Sequence, residues 1–198
     1  MAGSARVDMM TGRMLIKKGR SLSAAESCTG GLLSHRLTEV PGCSRYFAGT
    51  VVAYSNKVKT KLLGVKPKTL ARHGAVSAQC AVEMARGARK LFGTGCAVAV
   101  TGIAGPSAFG EGLPDAGLPS GGSRQKPVGL VFASVSMPGK DFCKRKVFGG
   151  TRSRIKEKAA AFALNLLHTS IFCTFHLPHK KRGQAIFLKM SQTVRFIG

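Results

Sequence analysis

Residues 24–31 read Ala-Ala-Glu-Ser-Cys-Thr-Gly-Gly and stand between a strand-like run, residues 20–25, and an amphipathic helical run, residues 32–40. A strand that passes through small residues directly into a helix leaves the first backbone N–H groups of that helix without internal partners. Those donors are expected beside a hydroxyl, that of Ser27, and a thiol, that of Cys28. We therefore expect anion binding or nucleophilic chemistry at this turn.

The rest of the chain alternates strand-like and helical stretches. Further strands are predicted at residues 47–54, 96–100, 128–135 and 141–148. Helices are predicted before Gly19, at residues 57–63, as a turn at residues 67–73, from Ser77 to residue 91, and after Arg152. The wholly apolar run at residues 96–100 is typical of a strand covered on both faces. Residues 137–140 predict a hairpin, and together these patterns predict a three-layer α/β/α sandwich with a mixed sheet.

Length and charge restrict the class of protein. A chain of 198 residues suits one domain, and it contains no apolar run near the roughly 20 residues of a membrane helix. The 31 Lys and Arg against 8 Asp and Glu give a formal charge of +23, which attracts phosphorylated small molecules, nucleic acid or anionic membrane alike. Because Trp is absent and Tyr occurs twice, the aromatic residues typical of nucleic-acid readers are missing.

The six cysteines are scattered singly, without a Cys-x-x-Cys pair. This pattern favours six free thiols in a reducing compartment over a disulfide framework or a zinc site, so we expect no metal. The first 20 residues are basic, as in some transit peptides, but their apolar residues have helical spacing. We interpret them as the first helix of the domain and expect a cytoplasmic protein without a membrane segment.

Five short motifs occur in a fixed order: residues 26–31 (ESCTGG), 54–59 (YSNKVK), 73–77 (HGAVS), 101–106 (TGIAGP) and 126–129 (KPVG). This set resembles the C-terminal domain family of the competence/damage-inducible protein CinA, over roughly residues 6–168. Free-standing members of that family hydrolyse the carboxamide of nicotinamide mononucleotide to the acid and ammonia. The resemblance implies the same activity here, without metal or organic cofactor, in a homo-oligomer.

For amide hydrolysis, Ser27 is the candidate nucleophile, and backbone N–H groups near Thr29, Gly30 and Gly31 are candidate donors to the oxyanion. The alternative for Ser27 is a helix N-cap, a far commoner role of serine. Cys28 is the rival nucleophile, although a small thiol buried under the turn is the simpler interpretation.

Lys59 is the candidate base, provided that burial or neighbouring cations lower its pKa. Tyr54 is expected to relay the proton or to bond to Ser27. The alternative for Lys59 is a solvated helix face, because Lys57 and Lys61 are close by. The family motif Tyr-Ser-Asn-x-x-Lys selects Lys59 over those two.

Thr101, Gly102 and Gly105 follow a buried strand, and they are expected to present N–H groups to the phosphate or ribose of the substrate. Arg152 is expected to bind the phosphate bidentately. The alternative for the glycines is a tight turn without a ligand. The family usually carries an acid where this chain has Thr151, so any pairing by that acid is in doubt.

Three other polar residues remain. Glu26 either orients Lys59 or Arg152 or closes a local salt bridge. His35 and His73 are interpreted as structural, because neither lies at a predicted strand end.

The predicted domain spans residues 1–168, with an insertion at about residues 107–119 that its composition predicts to be disordered. Residues 169–198 form a basic and apolar extension, which packs on the domain, mediates self-association or is an artefact of gene prediction. Two other functions remain open: a non-catalytic member of the fold that binds a nucleotide or partner, and a basic protein associated with nucleic acid.

Overall fold

The computed structural model describes residues 2–105 and 126–176. Within them, one sheet has the strand order β2-β1-β3-β4-β5, made of β1 (Leu22–Glu26), β2 (Phe47–Val52), β3 (Cys96–Gly102), β4 (Leu130–Met137) and β5 (Lys140–Val147). The helices are α1 (Ala2–Lys17), α2 (Leu32–Thr38), α3 (Asn56–Leu63), α4 (Pro67–His73), α5 (Ala78–Phe92) and α6 (Arg152–His176), with a 3-10 helix at Cys43–Arg45. Strands β1, β2 and β3 run parallel, and β4 and β5 are antiparallel to their neighbours.

Helices cover both faces of the sheet, because alternate residues of a strand point to opposite sides. On one face, Leu22 and Ala24 of β1 join a core with α1, α2 and α6. On the other face, Ala25 joins a second core with Leu63 of α3 and Met84 of α5. The predicted three-layer α/β/α sandwich with a mixed sheet is therefore confirmed.

Strand β4 begins two residues later than the predicted start at residue 128. Gly129 adopts a φ of +88° and donates its N–H to the Ile103 carbonyl at 2.7 Å, so the chain turns here before pairing begins. A Cβ at this glycine would lie 1.8 Å from the carbonyl oxygen of Phe148. The hydrophobic pattern from which the strand was predicted contains no information about this close contact between two backbone segments. The hairpin prediction is confirmed, since Met137 pairs with Lys140.

The last helix continues past residue 168, where the predicted extension begins. Ser170 and Ile171 are buried, and Ile171 belongs to the core shared with α1. The rest of that extension, residues 177–198, lies outside the described residues, as do Pro106 and the predicted insertion at residues 107–119.

The predicted N-terminal helix is present as α1, and Gly19 follows it with a φ of +57°. It packs on α6, where the Thr11 hydroxyl lies 3.1 Å from Nδ1 of His168. Among the described residues, no helix has both the length and the apolar character needed to cross a membrane.

At Gly87, helix α5 packs against the backbone of Leu63, the last residue of α3. A Cβ at this helical position would lie 1.9 Å from the Leu63 carbonyl oxygen. Alanine normally stabilises a helix interior by about 1 kcal/mol relative to glycine. Here we expect Gly87→Ala to lower the free energy of unfolding by about 1–3 kcal/mol, because the two helices must separate. Urea denaturation measures the difference.

Gly149→Ala is the matched control, since a Cβ there meets nothing within 4 Å and its φ lies outside the left-handed range. We expect this variant to unfold within about 0.5 kcal/mol of the wild type. An unchanged or raised stability of Gly87→Ala would show that α3 and α5 are not packed this closely.

Candidate active site

The turn after β1 is fixed by both neighbouring strands. The Ser27 N–H donates to the Val100 carbonyl of β3 at 3.0 Å. On the other side, the Ala53 N–H donates to the Glu26 carbonyl at 2.8 Å. Ser27 thus lies at the carboxyl edge of the parallel strands, where open α/β sheets bind ligands. It is buried, with 7% of its surface accessible to solvent.

Glu26 holds this turn against the start of α2. Its fully buried carboxylate accepts hydrogen bonds from the Thr29 hydroxyl at 2.7 Å and from the N–H groups of Gly31 at 2.9 Å, Leu33 at 3.1 Å and Ser34 at 2.8 Å. The Ser34 hydroxyl is a fifth donor. A carboxylate at a helix N-terminus satisfies unpaired donors and complements the helix dipole.

This placement differs from both interpretations of Glu26 made from the sequence. Its side chain contacts neither Lys59 nor Arg152, and it forms no salt bridge among residues 2–105 and 126–176. The physical reason is that the backbone donors of the adjacent helix lie closer to this carboxylate than any cation does.

Two of the N–H groups that were predicted to bind the oxyanion donate to acceptors within the protein instead. The Gly31 N–H is taken by Glu26, and the Gly30 N–H donates to the Ser27 carbonyl at 3.2 Å. Among the described residues, no other residue accepts a hydrogen bond from the N–H groups of Cys28 and Thr29, and the Cys28 N–H interacts with its own thiol. Gly30 and Gly31, with φ values of +61° and +98°, shape the turn that leaves those two donors available.

Lys59 and Ser27 are in direct contact. Nζ of Lys59 lies 3.1 Å from Ser27 Oγ, 2.7 Å from the Ala53 carbonyl oxygen and 3.1 Å from the Tyr54 carbonyl oxygen. The lysine is fully buried. Burial lowers its pKa from the usual 10.5, and charge on the Cys80 and Cys28 thiols would act in the opposite direction. A serine hydroxyl therefore lies next to a buried lysine whose lowered pKa favours the neutral amine.

Lys57, Lys59 and Lys61 all lie on α3, and the rotation of this helix determines which of them faces the site. Ser55 caps α3 by accepting the Val58 N–H at 3.2 Å, which sets the rotation of the helix. Lys59 then faces inward, whereas Lys57 and Lys61 are exposed. Two residues along a helix change the direction of a side chain by about 200°, so with Lys59 facing Ser27 both Lys57 and Lys61 point away from it.

The Tyr54 side chain is not placed next to Ser27. It is 49% exposed, and its hydroxyl accepts a hydrogen bond from Nη2 of Arg152 at 2.9 Å. The tyrosine contributes to the Lys59 environment through its backbone carbonyl. Arg152 is the first residue of α6, and its Cβ lies 3.4 Å from the position that a Cβ on Gly105 would take.

The rival nucleophile Cys28 belongs to the hydrophobic core beneath the turn. Burial is the main cause that raises the pKa of its thiol to about 12. A thiol with this pKa is almost entirely protonated near neutral pH, and the thiolate is the reactive form. The reactive thiolate of Cys28 is therefore scarce near neutral pH.

Thr101 and Gly102 are engaged within the fold. The buried Thr101 hydroxyl donates to the Ala75 carbonyl at 2.9 Å. A Cβ on Gly102 would lie 2.6 Å from the Leu130 carbonyl oxygen, so this glycine allows β3 to approach β4. They follow Val100 in β3, whose carbonyl accepts the Ser27 N–H.

One residue near the turn was missed from the sequence. Nζ of Lys156 lies 3.6 Å from the position of a Cβ on Gly30. Lys156 comes four residues after Arg152 on α6, a spacing that places two side chains on the same helix face. That spacing is the signal in the sequence that could have identified it.

Among the described residues, neither of the two histidines singled out from the sequence forms a hydrogen bond with Ser27. The His35 carbonyl accepts the Thr38 hydroxyl within α2, and the His73 carbonyl accepts Nζ of Lys126 at 2.6 Å. In the part of the chain that the structure describes, no three His, Cys, Asp or Glu side chains are grouped so that they could hold a metal ion.

Comparison with known proteins identifies related sequences. The sequence profile of the CinA C-terminal domain matches residues 5–171. A competence-damage inducible protein of Moorella thermoacetica is 44% identical over 165 residues, covering 83% of this chain and 37% of the relative. A CinA-like protein of Kosmotoga olearia is 40% identical over 169 residues, covering 85% of this chain and 38% of the relative. The chain thus spans little more than a third of these relatives' length.

Solved structures have the same architecture. A CinA superfamily protein from Klebsiella pneumoniae superposes with a TM-score of 0.75 at 31% identity, covering 85% of this chain and 97% of that one. The competence/damage inducible protein CihA from Agrobacterium tumefaciens superposes with a TM-score of 0.71 at 36% identity, covering 83% and 95%.

Proposed function

The chain belongs to the CinA C-terminal domain family, and from this premise we propose that it hydrolyses the carboxamide of nicotinamide mononucleotide to nicotinate mononucleotide and ammonia. The observation that carries the proposal is the contact of 3.1 Å between Nζ of the buried Lys59 and Oγ of Ser27. The choice of substrate comes from the family resemblance, and the choice of chemistry comes from this contact. In a cell the reaction would recycle pyridine nucleotides.

Two carbonyls prepare Lys59 to act as a base. A neutral amine has two N–H bonds and one lone pair. With those N–H groups donating to the Ala53 and Tyr54 carbonyls, the lone pair points to the remaining neighbour, Ser27 Oγ. Lys59 then accepts the hydroxyl proton while Oγ forms a bond to the carboxamide carbon.

The carbonyl oxygen of the substrate becomes an oxyanion in this step. The N–H groups of Cys28 and Thr29 are the donors available to it, because no other described residue accepts a hydrogen bond from them. Collapse of the tetrahedral intermediate breaks the carbon–nitrogen bond, and the Lys59 ammonium gives its proton to the leaving amide nitrogen, which departs as ammonia. Water then attacks the acyl-serine ester with Lys59 as base, which releases the acid and restores Ser27.

Positive charge beside the turn supports a substrate that carries phosphate. Arg152 lies at the N-terminus of α6, where the helix dipole also favours anions. Its guanidinium is fixed by the hydrogen bond from Nη2 to the Tyr54 hydroxyl. In this proposal Tyr54 is therefore a positioning residue for Arg152, rather than a relay between Lys59 and Ser27.

The purified chain tests the proposal when it is incubated with nicotinamide mononucleotide. We expect stoichiometric release of ammonia and nicotinate mononucleotide, unchanged after treatment with a metal chelator, because every group assigned to the chemistry belongs to the chain. A folded protein that binds the nucleotide without releasing ammonia would contradict the amidase and indicate a non-catalytic member of the family.

A further inference from the structure

We propose that Lys156 and Arg152 together form a binding subsite for a doubly charged phosphomonoester, so that Lys156 makes the site selective for a mononucleotide over its nucleoside. The inference rests on the proposed function and assigns a role to a residue outside the five sequence motifs. It is carried by the position of Lys156, its charge and the absence of a carboxylate partner among residues 2–105 and 126–176.

Lys156 lies over the turn that contains the candidate nucleophile. Its Nζ lies 3.6 Å from the Cβ position of Gly30, and the Gly30 N–H donates to the Ser27 carbonyl. The ammonium therefore lies against the backbone of the turn that contains Ser27. A side chain at Gly30 would contact the ammonium, and the left-handed φ of +61° is a further reason for glycine here.

Arg152 presents a second positive charge on the same helix face. The two residues are four positions apart, which separates their Cβ atoms by about 5–6 Å in a helix. Nη2 of Arg152 is held by the Tyr54 hydroxyl at 2.9 Å, and the guanidinium also contributes to the electrostatics of the Cys28 thiol in the turn. Both cations therefore flank the same short stretch of backbone.

Neither cation has an acidic partner among the described residues. Within these residues, Arg36 pairs with Asp8 and Arg86 pairs with Asp141, whereas no carboxylate lies within 4.0 Å of Arg152 or Lys156. The acidic residue in the turn, Glu26, is buried and surrounded by five donors of its own. Thr151 stands before Arg152 and carries no charge.

Two cations at a helix N-terminus, with no carboxylate partner in the described part of the chain, match the charge of a phosphomonoester. Its second pKa is about 6, so it carries close to two negative charges at neutral pH. Guanidinium binds phosphate bidentately, and ammonium adds a mobile point charge. A nucleoside lacks this group, and each phosphate of a dinucleotide pyrophosphate carries only one negative charge. The subsite should therefore favour the mononucleotide.

The test compares nicotinamide mononucleotide with nicotinamide riboside in the wild type and in Lys156→Gln. We expect KM for the mononucleotide to rise by about tenfold or more, the scale of one lost charge-assisted hydrogen bond, with kcat within about threefold. Activity toward the riboside should stay within about twofold, and Lys156→Arg should restore most of the affinity. Lys158→Gln is the control, since that ammonium donates to the Gly149 carbonyl instead.

Equal losses on both substrates, or no change in KM for the mononucleotide, would overturn the subsite. Calorimetric binding of ribose 5-phosphate, with ribose as control, separates its failure from that of the amidase. Binding that weakens in Lys156→Gln and below pH 6 would support the subsite even in a chain that releases no ammonia. Binding equal to the wild type would overturn the subsite even if the chain proves to be an active amidase.

Discussion

Replacing Ser27 by alanine, or Lys59 by methionine, is expected to reduce kcat for nicotinamide mononucleotide by at least about a hundredfold. The serine variant loses the attacking oxygen, and the lysine variant keeps the bulk of the buried chain but has no lone pair to receive the proton. Because the two side chains act as a unit, with 3.1 Å between Nζ and Oγ, the double variant should be little worse than either single one. Steady-state ammonia release measures all three.

Lys61→Met is the matched control for the lysine, because Lys61 lies on the same helix but is exposed. We expect it to retain wild-type kcat. If Cys28→Ala abolished turnover while Ser27→Ala did not, the nucleophile would be the thiol and the proposed mechanism would be wrong.

The pH dependence of the wild type follows from the same pair. Burial lowers the pKa of Lys59 below 10.5, and only the neutral amine can accept the Ser27 proton. The protonated form dominates below that pKa, so kcat/KM should fall as pH decreases and rise to a plateau as pH increases. The rising limb should lie below pH 10.5, and it should be absent from the residual activity of Lys59→Met.

Much of this fold follows from short-range patterns. The apolar run of β3 predicts a strand buried on both faces, and Ser77 does cap α5 by accepting the Cys80 N–H. These features depend on neighbouring residues only, so a sequence contains the information. The start of β4 could not be predicted from such patterns, because it is set by contact of Gly129 with the backbone of Phe148, nearly 20 residues away.

In the site too, some features follow from neighbouring residues and others depend on contacts between distant parts of the chain. The motif selected Lys59, but its burial depends on how α3 packs on α5. Lys156 comes near Gly30 only through the rotation of α6, which is fixed by packing against α1 and α2. The Tyr54 side chain turns to Arg152, 98 positions away in the chain. No local pattern specifies such long-range contacts.

Glu26→Gln is expected to have the largest effect on stability, lowering the free energy of unfolding by at least about 2 kcal/mol. The amide retains one acceptor oxygen but turns an NH₂ group toward N–H donors that the carboxylate now satisfies. Thr29, Gly31 and Leu33 donate to one carboxylate oxygen and Ser34 to the other, so either orientation of the amide leaves donors unpaired. Urea denaturation measures the loss.

Glu39→Gln is the control on the same helix, because Glu39 is exposed at the C-terminal end of α2 and should change stability by less than about 0.5 kcal/mol. If Glu26→Gln proves too unstable to purify, Thr29→Val removes a single donor, and we expect a smaller loss of about 1 kcal/mol. Equal stability of Glu26→Gln and the wild type would mean that the carboxylate does not cap α2.

The Glu26 carboxylate, which caps α2, is expected to affect catalysis as well as stability. By accepting the Gly31 N–H, Glu26 fixes the turn in which the N–H groups of Cys28 and Thr29 bond to no other residue of the part of the chain that the structure describes. Loosening that turn should affect the oxyanion more than the bound substrate, since preorganised donors act mainly in the transition state. At a temperature where Glu26→Gln remains folded, we therefore expect kcat to fall by about tenfold or more while KM stays within about threefold. A rise in KM alone would instead assign Glu26 to substrate binding.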